Sequence, residues 1–224
     1  MGSVERVATW DTRGVTARRR PSHTDGRTPP SGSDRVRRAA IALFRERGYH
    51  GTSMRTLAGR LRVEVPSVYY HFASKQAILL DILDGTVDDL LDGLERAVAA
   101  SEDPAARLRA AVRYHILFHA HRRAEAFLSH SELRSLTPAN LRRIVAKRDR
   151  YERMFRDIVA DGVGAGVFSV PDVKLAAIAM LTMCTGVAAW FSEAGRLDAD
   201  AIADFYSDMI MRSVTARPAL GARG

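Results

Sequence analysis

AAIALFRERGYHGTSMRTLAGRLRVEVPSVYYHFASKQAIL, residues 39–79, is the stretch that decides the fold. It continues a helical pattern that begins near Ser33, because four apolar residues share one face: Val36, Ala40, Leu43 and Phe44. Gly48 follows at a position where a left-handed residue ends many helices. The pattern therefore predicts a first helix that ends just before Gly48.

Two more short helices are predicted within the same stretch. Ser53 can cap the second helix, and Pro66 is tolerated only in the first turn of a helix, so it fixes the start of the third. The break at 61–63 separates these two helices, and Ser74 caps a fourth. Two short helices joined by such a turn, with another helix closing the core, form a helix-turn-helix unit.

The positive charge of the chain is concentrated in its first third. Residues 34–75 hold nine Lys or Arg and three acidic residues, a net charge of +6, and residues 1–33 add +3. The remaining residues carry a net charge of −1, within a total of +8. A basic module on a nearly neutral body is typical of a nucleic-acid-binding protein, although a merely solvated basic face is an alternative.

The rest of the chain is predicted to be helical, with start signals such as Asp103-Pro104 and Thr137-Pro138. The predicted helices are 104–120, 124–135, 138–161, 172–194 and 198–214. No alternating run bounded by turn residues indicates a strand, so the predicted fold class is all-α.

Four segments carry a resemblance to a known family: 39–49, 52–58, 63–72 and 74–79. In this order they give a first helix ending in Gly, a Thr-Ser cap, and a Val-Tyr-Tyr-His-Phe helix followed by Ser-Lys. Together they resemble the tetracycline-repressor (TetR) family of transcription regulators. The resemblance implies a ligand-responsive homodimer, usually a repressor, that binds a palindromic double-stranded DNA operator and is released by a small hydrophobic or acyl-CoA-like effector.

The resemblance and the charge pattern together predict the domain organisation. We expect a disordered basic arm over 1–33 and a helix-turn-helix DNA-binding domain over 34–78. A helical ligand-binding and dimerisation domain follows over 79–216, and a disordered tail over 217–224.

The resemblance also assigns DNA-contacting residues. Arg55 matches a position that reaches base edges, where a guanidinium can bond guanine in two places. The exposed first turn of the recognition helix is Val65, Pro66 and Ser67. The remaining positions resemble phosphate anchors, with Tyr70 also able to face the surface of the module: Tyr69, Tyr70, His71 and Lys75.

Three residues depart from the common pattern of the family. Arg62 stands in the turn where Gly is frequent, Glu64 where a Ser or Thr cap is frequent, and Val65 where a polar reader is frequent. Glu64 is a poor helix cap, and Val65 can meet a thymine methyl but cannot hydrogen-bond a base. These changes bear on the operator sequence and leave the predicted fold intact.

The run Leu175–Ser192 contains no charged residue and has the minimum length of a membrane span. Its Thr, Gly and Ser residues, and the lack of a clustered basic flank, favour a buried helix instead. The resemblance implies that the last two helices form a dimer interface. Its predicted residues on the final helix are Ile202, Phe205, Tyr206 and Met209.

The middle helices are expected to enclose the effector. The large or adaptable apolar side chains there are predicted to line a pocket: Tyr114, Phe118, Phe127, Tyr151, Phe155, Met180, Met183 and Trp190. Residues 136–152 bear a fainter similarity to actinobacterial regulators of lipid and sterol breakdown, which suggests an acyl-CoA thioester. Four basic residues can either meet its phosphates or form a solvated helix face: Arg142, Arg143, Lys147 and Arg150.

Other classes of protein are less well supported. His115 and His119 can share a metal, but two ligands without a placed carboxylate make a weak site, so we expect no metal and no cofactor. No nucleophile motif or carboxylate pair indicates an enzyme, and a helical scaffolding module without DNA recognition is the alternative. Lone Cys184 and the absence of a signal-peptide core favour a cytoplasmic protein without membrane attachment.

Overall fold

The computed structural model describes residues 31–215, and over that range it is all-α. Three short helices form the N-terminal head: α1 (Gly32–Arg47), α2 (Met54–Leu61) and α3 (Val65–His71). Ser31 and Ser53 cap the first two helices by accepting hydrogen bonds from the amides of Asp34 and Thr56. The predicted arm and tail lie mostly outside the described residues, although α1 begins at Gly32, inside the predicted arm.

Seven helices form the body. In chain order they are α4 (Lys75–Val98), α5 (Pro104–His121), α6 (Arg123–Ser131), α7 (Pro138–Gly164), α8 (Val173–Thr185), α9 (Val187–Trp190) and α10 (Ala199–Thr215). The predicted start signals act as caps, since Asp103, Thr137 and Asp172 each accept a hydrogen bond from a first-turn amide.

Two predicted helices are shorter than expected. The helix predicted over 124–135 ends at Ser131 and gives way to a 3₁₀ turn over Leu133–Ser135. The helix predicted over 172–194 divides at Gly186 and ends at Trp190, because Phe191 turns inward and is buried. Among residues 31–215, Val173–Trp190 is the stretch long and apolar enough to cross a membrane, and 22% of it is buried inside this chain.

The body core is built around α5, which packs against α4, α7, α8 and α10. Close approach of α4 and α5 depends on Gly93, where an added Cβ would lie 2.0 Å from the Tyr114 hydroxyl. That hydroxyl donates to the carbonyl of Asp89. Two histidines of α5, His115 and His119, are buried in this mainly apolar core.

Candidate functional site

The outer surface of α2 and α3 carries most of the predicted DNA-contacting residues. Val68 is fully buried and anchors α3 to the head, so the flanking side chains face outward. Tyr69 is 50% exposed and Tyr70 86% exposed. Four more predicted residues are also exposed: Arg55, Pro66, Ser67 and His71. Val65 is half-buried and packs against the core, so it offers less surface than its predicted place in the recognition turn implies.

The turn between α2 and α3 is closed by backbone groups. Arg62 adopts a left-handed conformation, with φ 56° and ψ 46°, and its amide bonds the carbonyls of Ala58 and Gly59. The Val63 amide bonds the Ala58 carbonyl at 3.0 Å. Glu64 makes no side-chain cap on α3, as its residue type predicts. The turn is therefore built without the Gly and the Ser or Thr that are frequent in the family.

Lys75 is engaged inside the head. Its Nζ donates to the carbonyls of Tyr49 and Thr52, each at 2.7 Å, and lies 4.2 Å from the centre of the Tyr49 ring. Burial lowers the pKa of Lys75. Since an ammonium has three donors, only one remains for a phosphate. The structure thus gives Lys75 a role in closing the α1–α2 turn, which the sequence pattern did not predict.

Polar residues that sequence reasoning missed join the head to the body. The Gln76 amide nitrogen donates to the Ser135 carbonyl at 2.8 Å and to the Tyr49 hydroxyl at 3.1 Å. Its oxygen accepts from the Thr137 amide at 3.2 Å. Glu132 accepts from the Tyr49 amide at 3.3 Å. No spacing in the sequence connects these residues, because the contacts join positions that are 27 to 83 residues apart.

A cavity of about 260 Å³ opens among α4, α5, α6, α7 and α8. Its apolar wall is formed by Leu83, Val87, Leu90, Ala126, Ile144, Ile178 and Leu181. Its polar wall is formed by Thr86, His115, His119, Ser129, His130, Arg148, Asp149, Tyr151, Glu152, Thr182 and Thr185. A concave site that combines an apolar wall with convergent polar groups is typical of small-molecule binding.

Of the eight side chains predicted to line a pocket, Tyr151 lines this cavity and the other seven do not. Four of the seven are packed elsewhere in the body: Tyr114, Phe118, Phe155 and Met180. Phe127, Met183 and Trp190 are exposed. The prediction selected residues by size, whereas the direction of each side chain around its helix decides which of them reaches the cavity.

His115 and Tyr151 form the fixed part of the polar wall. His115 Nδ1 lies 2.9 Å from the Tyr151 hydroxyl and Nε2 lies 3.0 Å from Thr185 Oγ1. Burial lowers the pKa of His115 well below its ordinary value and raises that of Tyr151 well above its own. Both groups are therefore neutral at pH 7, and both nitrogens of His115 are already bonded.

His119 lies next to His115, with ring centres 4.3 Å apart and ring planes at 53°. Burial lowers the pKa of His119 to about 4, with smaller contributions from His130 and Arg148. Its Nδ1 has no hydrogen-bond partner among residues 31–215, and neither has Ser129 Oγ. The same part of the chain contains no group of three or more potential metal ligands.

The basic residues of α7 that were predicted to meet phosphates are mostly paired with α4. Arg143 bonds both carboxylate oxygens of Asp84, at 3.0 and 2.6 Å, and Lys147 lies 2.6 Å from the same carboxylate. Arg150 lies 2.6 Å from Glu95. Arg142 is exposed. These cations hold α7 to α4, which accounts for three of the four without a ligand.

Exposed apolar side chains lie on α8, α9 and α10. Leu175 is 64% exposed and Phe205 is 62% exposed, an unusual state for such large apolar side chains. Met183, Trp190 and Met209 extend this surface. Tyr206 is partly buried, whereas Ile202 is 4% exposed and lies in the core of its own chain. Ile202 faces inward because it lies on the side of α10 that packs against α5.

Comparison with known proteins places both regions in one family. Residues 36–82 match the model of bacterial regulatory proteins of the tetR family, and residues 101–214 match the tetracyclin repressor-like C-terminal domain. The chain is 24% identical over 190 residues to the transcriptional repressor KstR2 of Mycolicibacterium smegmatis, covering 84% of this chain and 92% of the repressor. It is 42% identical over 74 residues to the transcriptional activator FasR of the same species, covering 33% of this chain and 34% of the activator.

A solved structure of similar fold is that of AibR in complex with isovaleryl coenzyme A and operator DNA. The TM-score is 0.72 with 24% identity, covering 83% of this chain and 98% of AibR. The chain belongs to the TetR family of transcription regulators. It is a ligand-responsive, DNA-binding regulator and not an enzyme, and its macromolecular partner is operator DNA.

Proposed function

We propose that this regulator is a cytoplasmic homodimeric repressor that binds a palindromic operator and leaves it when an acyl-CoA-type effector binds the body. The observation that carries the DNA-binding part is the row of exposed side chains on α2 and α3, within a segment of net charge +6. Arg55 reads a base edge in the major groove, and Tyr69, Tyr70 and His71 bond phosphates.

The exposed apolar surface supports the homodimer. Leu175, Phe205 and Met209 lie on the two helices that the resemblance assigns to dimerisation, and exposure of such side chains is costly unless a partner covers them. A two-fold dimer presents the same patch from each subunit. It also brings two recognition helices to half-sites about one DNA turn apart, which is why the operator is palindromic.

The cavity supports a small-molecule effector. It has an apolar wall and a polar wall, and the polar wall includes Ser129 near the end of α6. The next turn of chain carries Glu132 and Ser135, which hold the head through Tyr49 and Gln76. A ligand that displaces α6 or α4 changes the spacing of the two recognition helices. The coenzyme A complex of AibR supports the thioester class.

The test is a mobility-shift titration of the full chain on DNA from its own promoter, with and without isovaleryl coenzyme A as the probe. We expect a shift whose affinity falls steeply as salt rises, and loss of the shift when the thioester is added. A reporter under the same promoter separates repression from activation, because deleting a repressor raises expression and deleting an activator lowers it. A chain that ignores DNA even at low salt would refute the proposal.

A further inference from the structure

Three polar side chains from three different helices line the cavity. His119 comes from α5, Ser129 from α6 and Arg148 from α7. His119 is 5% exposed, and its Nδ1 and Ser129 Oγ have no hydrogen-bond partner within residues 31–215. Buried polar atoms are nearly always hydrogen-bonded, because a buried polar atom without a partner destabilises the folded chain. Since both residues line the cavity, their unbonded atoms indicate a place for a polar ligand atom.

Arg148 supplies the positive charge among these three side chains. Its one hydrogen bond among the described residues runs from Nη1 to the Ser129 carbonyl at 3.3 Å. No carboxylate of residues 31–215 forms an ion pair with it, in contrast to Arg143 and Arg150 on the same helix. Burial lowers the pKa of Arg148, yet a guanidinium stays protonated in proteins. Four of its five N–H donors therefore have no protein acceptor within residues 31–215, and Arg148 itself lines the cavity.

The neighbouring histidines do not add charge at neutral pH. Burial lowers the pKa of His115, of His119 to about 4, and of His130. Two acids also border the cavity. Asp149 is exposed, and its charge partly offsets the effect of burial on the pKa of Arg148, while Glu152 lies 3.9 Å from Arg156. The enclosed charge is thus the Arg148 guanidinium, flanked by neutral donors.

Resting on the effector function proposed above, we propose that the part of the effector enclosed in this cavity is a short apolar body that ends in a carboxylate. Arg148 binds the carboxylate through parallel N–H donors, and His119 and Ser129 bond its oxygens. The cavity of about 260 Å³ lies below the usual range of roughly 300–1,000 Å³ for ligand sites, so it encloses a small acid or one end of a larger molecule. The two sources are a free organic acid and an acyl thioester with a second, free carboxylate.

Three matched probes test the charge: cyclohexylacetate, its neutral amide, and cyclohexylmethylamine as the cation. Calorimetry on the wild-type full chain should show the acid binding roughly tenfold to a hundredfold more tightly than the amide or the amine. If the amide binds as tightly as the acid, or if the acid does not bind, the effector does not carry a carboxylate into this cavity and the inference is wrong. Tighter binding of the amine would show that Asp149 and Glu152 define the site instead.

Variants then test the residues. Arg148→Gln should weaken binding of the acid by roughly tenfold to a hundredfold. Arg142→Gln, which changes an exposed residue on the same helix, should leave the affinity for the acid unchanged. Arg148→Lys keeps the charge but loses the paired donors, so its affinity for the acid should lie between those of the wild-type chain and Arg148→Gln. Unaltered binding of the acid to both Arg148 variants would exclude Arg148. The wild-type probe series remains decisive if a variant fails to fold.

Two thioesters of equal chain length distinguish the sources. If glutaryl coenzyme A binds more tightly than valeryl coenzyme A, the carboxylate belongs to an acyl thioester. If the free acid binds and neither thioester does, the carboxylate inference stands and the thioester part of the proposed function fails. If valeryl coenzyme A releases the operator and the acid does not bind, the proposed function stands and the carboxylate inference fails.

Discussion

The DNA-binding head and the body cavity expose their chemistry in opposite ways. In the head, the predicted DNA-contacting side chains lie on the outer surface of two short helices within residues 55–71. Val68 packs α3 against the head, so that its neighbours on α3 face outward. In the cavity, the polar residues come from five helices, α4 to α8, and are spread over positions 86–185. The DNA-contacting surface therefore depends on one local sequence motif, whereas the cavity depends on how helices that are distant in sequence pack together.

The largest expected effect concerns the head. Arg55→Ala combined with Tyr69→Phe removes one base-reading and one phosphate-bonding group from each subunit. Loss of Arg55 alone costs about 1 to 3 kcal/mol per half-site, so operator affinity should fall by roughly two orders of magnitude or more. Mobility shift measures this loss, with Arg153→Ala, an exposed charge removed from the body, as the control. Binding that survives the double change would remove α2 and α3 from the interface.

The next effect concerns the apolar surface of the body. Phe205→Asp places a charge where a partner subunit is proposed to pack, and a buried aromatic contact of this kind is worth about 2 to 4 kcal/mol. Sedimentation should show a monomer at concentrations where the wild-type chain is a dimer. Phe127→Asp is the matched control, since Phe127 is 51% exposed on α6 and Phe205 62% exposed on α10. If both variants remain dimeric, the interface lies elsewhere.

The third effect concerns the buried histidine of the cavity. The pKa of His119 is about 4 in the folded chain against 6.5 when unperturbed, so the unfolded chain takes up the proton first as the pH falls. Folding stability from this residue is complete above pH 6.5 and is lost between pH 6.5 and 4, by about 3 kcal/mol at the lower limit. His119→Phe should remove this portion of the pH dependence.

Urea unfolding at a series of pH values measures this pH dependence of folding stability. The protein concentration is kept fixed, because the stability of a dimer depends on concentration. The control is His121→Phe, which changes an exposed histidine at the end of the same helix and should leave the pH profile as it is. The same slope in the His119 variant and the wild-type chain would mean that His119 is not enclosed as the structure describes.

The fourth effect concerns the junction between the two regions. Gln76→Ala removes hydrogen bonds to Tyr49, Ser135 and Thr137, and the net cost should be about 1 to 2 kcal/mol in the free energy of unfolding. Asn140→Ala loses only a 3.4 Å contact with the same amide oxygen and should cost less. An equal cost for both variants would show that Gln76 does not connect head and body.

The same contrast explains what the sequence could predict. The head follows from local signals, because Ser53, Pro66 and Ser74 mark helix starts wherever the chain folds. The residues predicted for a dimer interface divide: Phe205 and Met209 are exposed, as a contact with a partner requires, whereas Ile202 is buried in its own chain. The cavity did not follow, because large side chains such as Phe155 fill the core, whereas the polar residues that line it carry no spacing signal across α5, α6 and α7.

The smallest expected effect concerns the turn between α2 and α3, which is part of the locally determined head. Arg62 holds a left-handed conformation at φ 56°, which costs a residue with a Cβ about 1 to 2 kcal/mol relative to Gly. Glycine loses more chain entropy on folding, by about 0.5 to 1 kcal/mol, so the net gain from Arg62→Gly should be about 0.5 to 1 kcal/mol. Arg62→Ala removes the same charge and keeps the Cβ. Urea unfolding should therefore show stabilisation for Gly alone, and an equal gain for Ala would assign the effect to charge repulsion within the basic head rather than to the backbone.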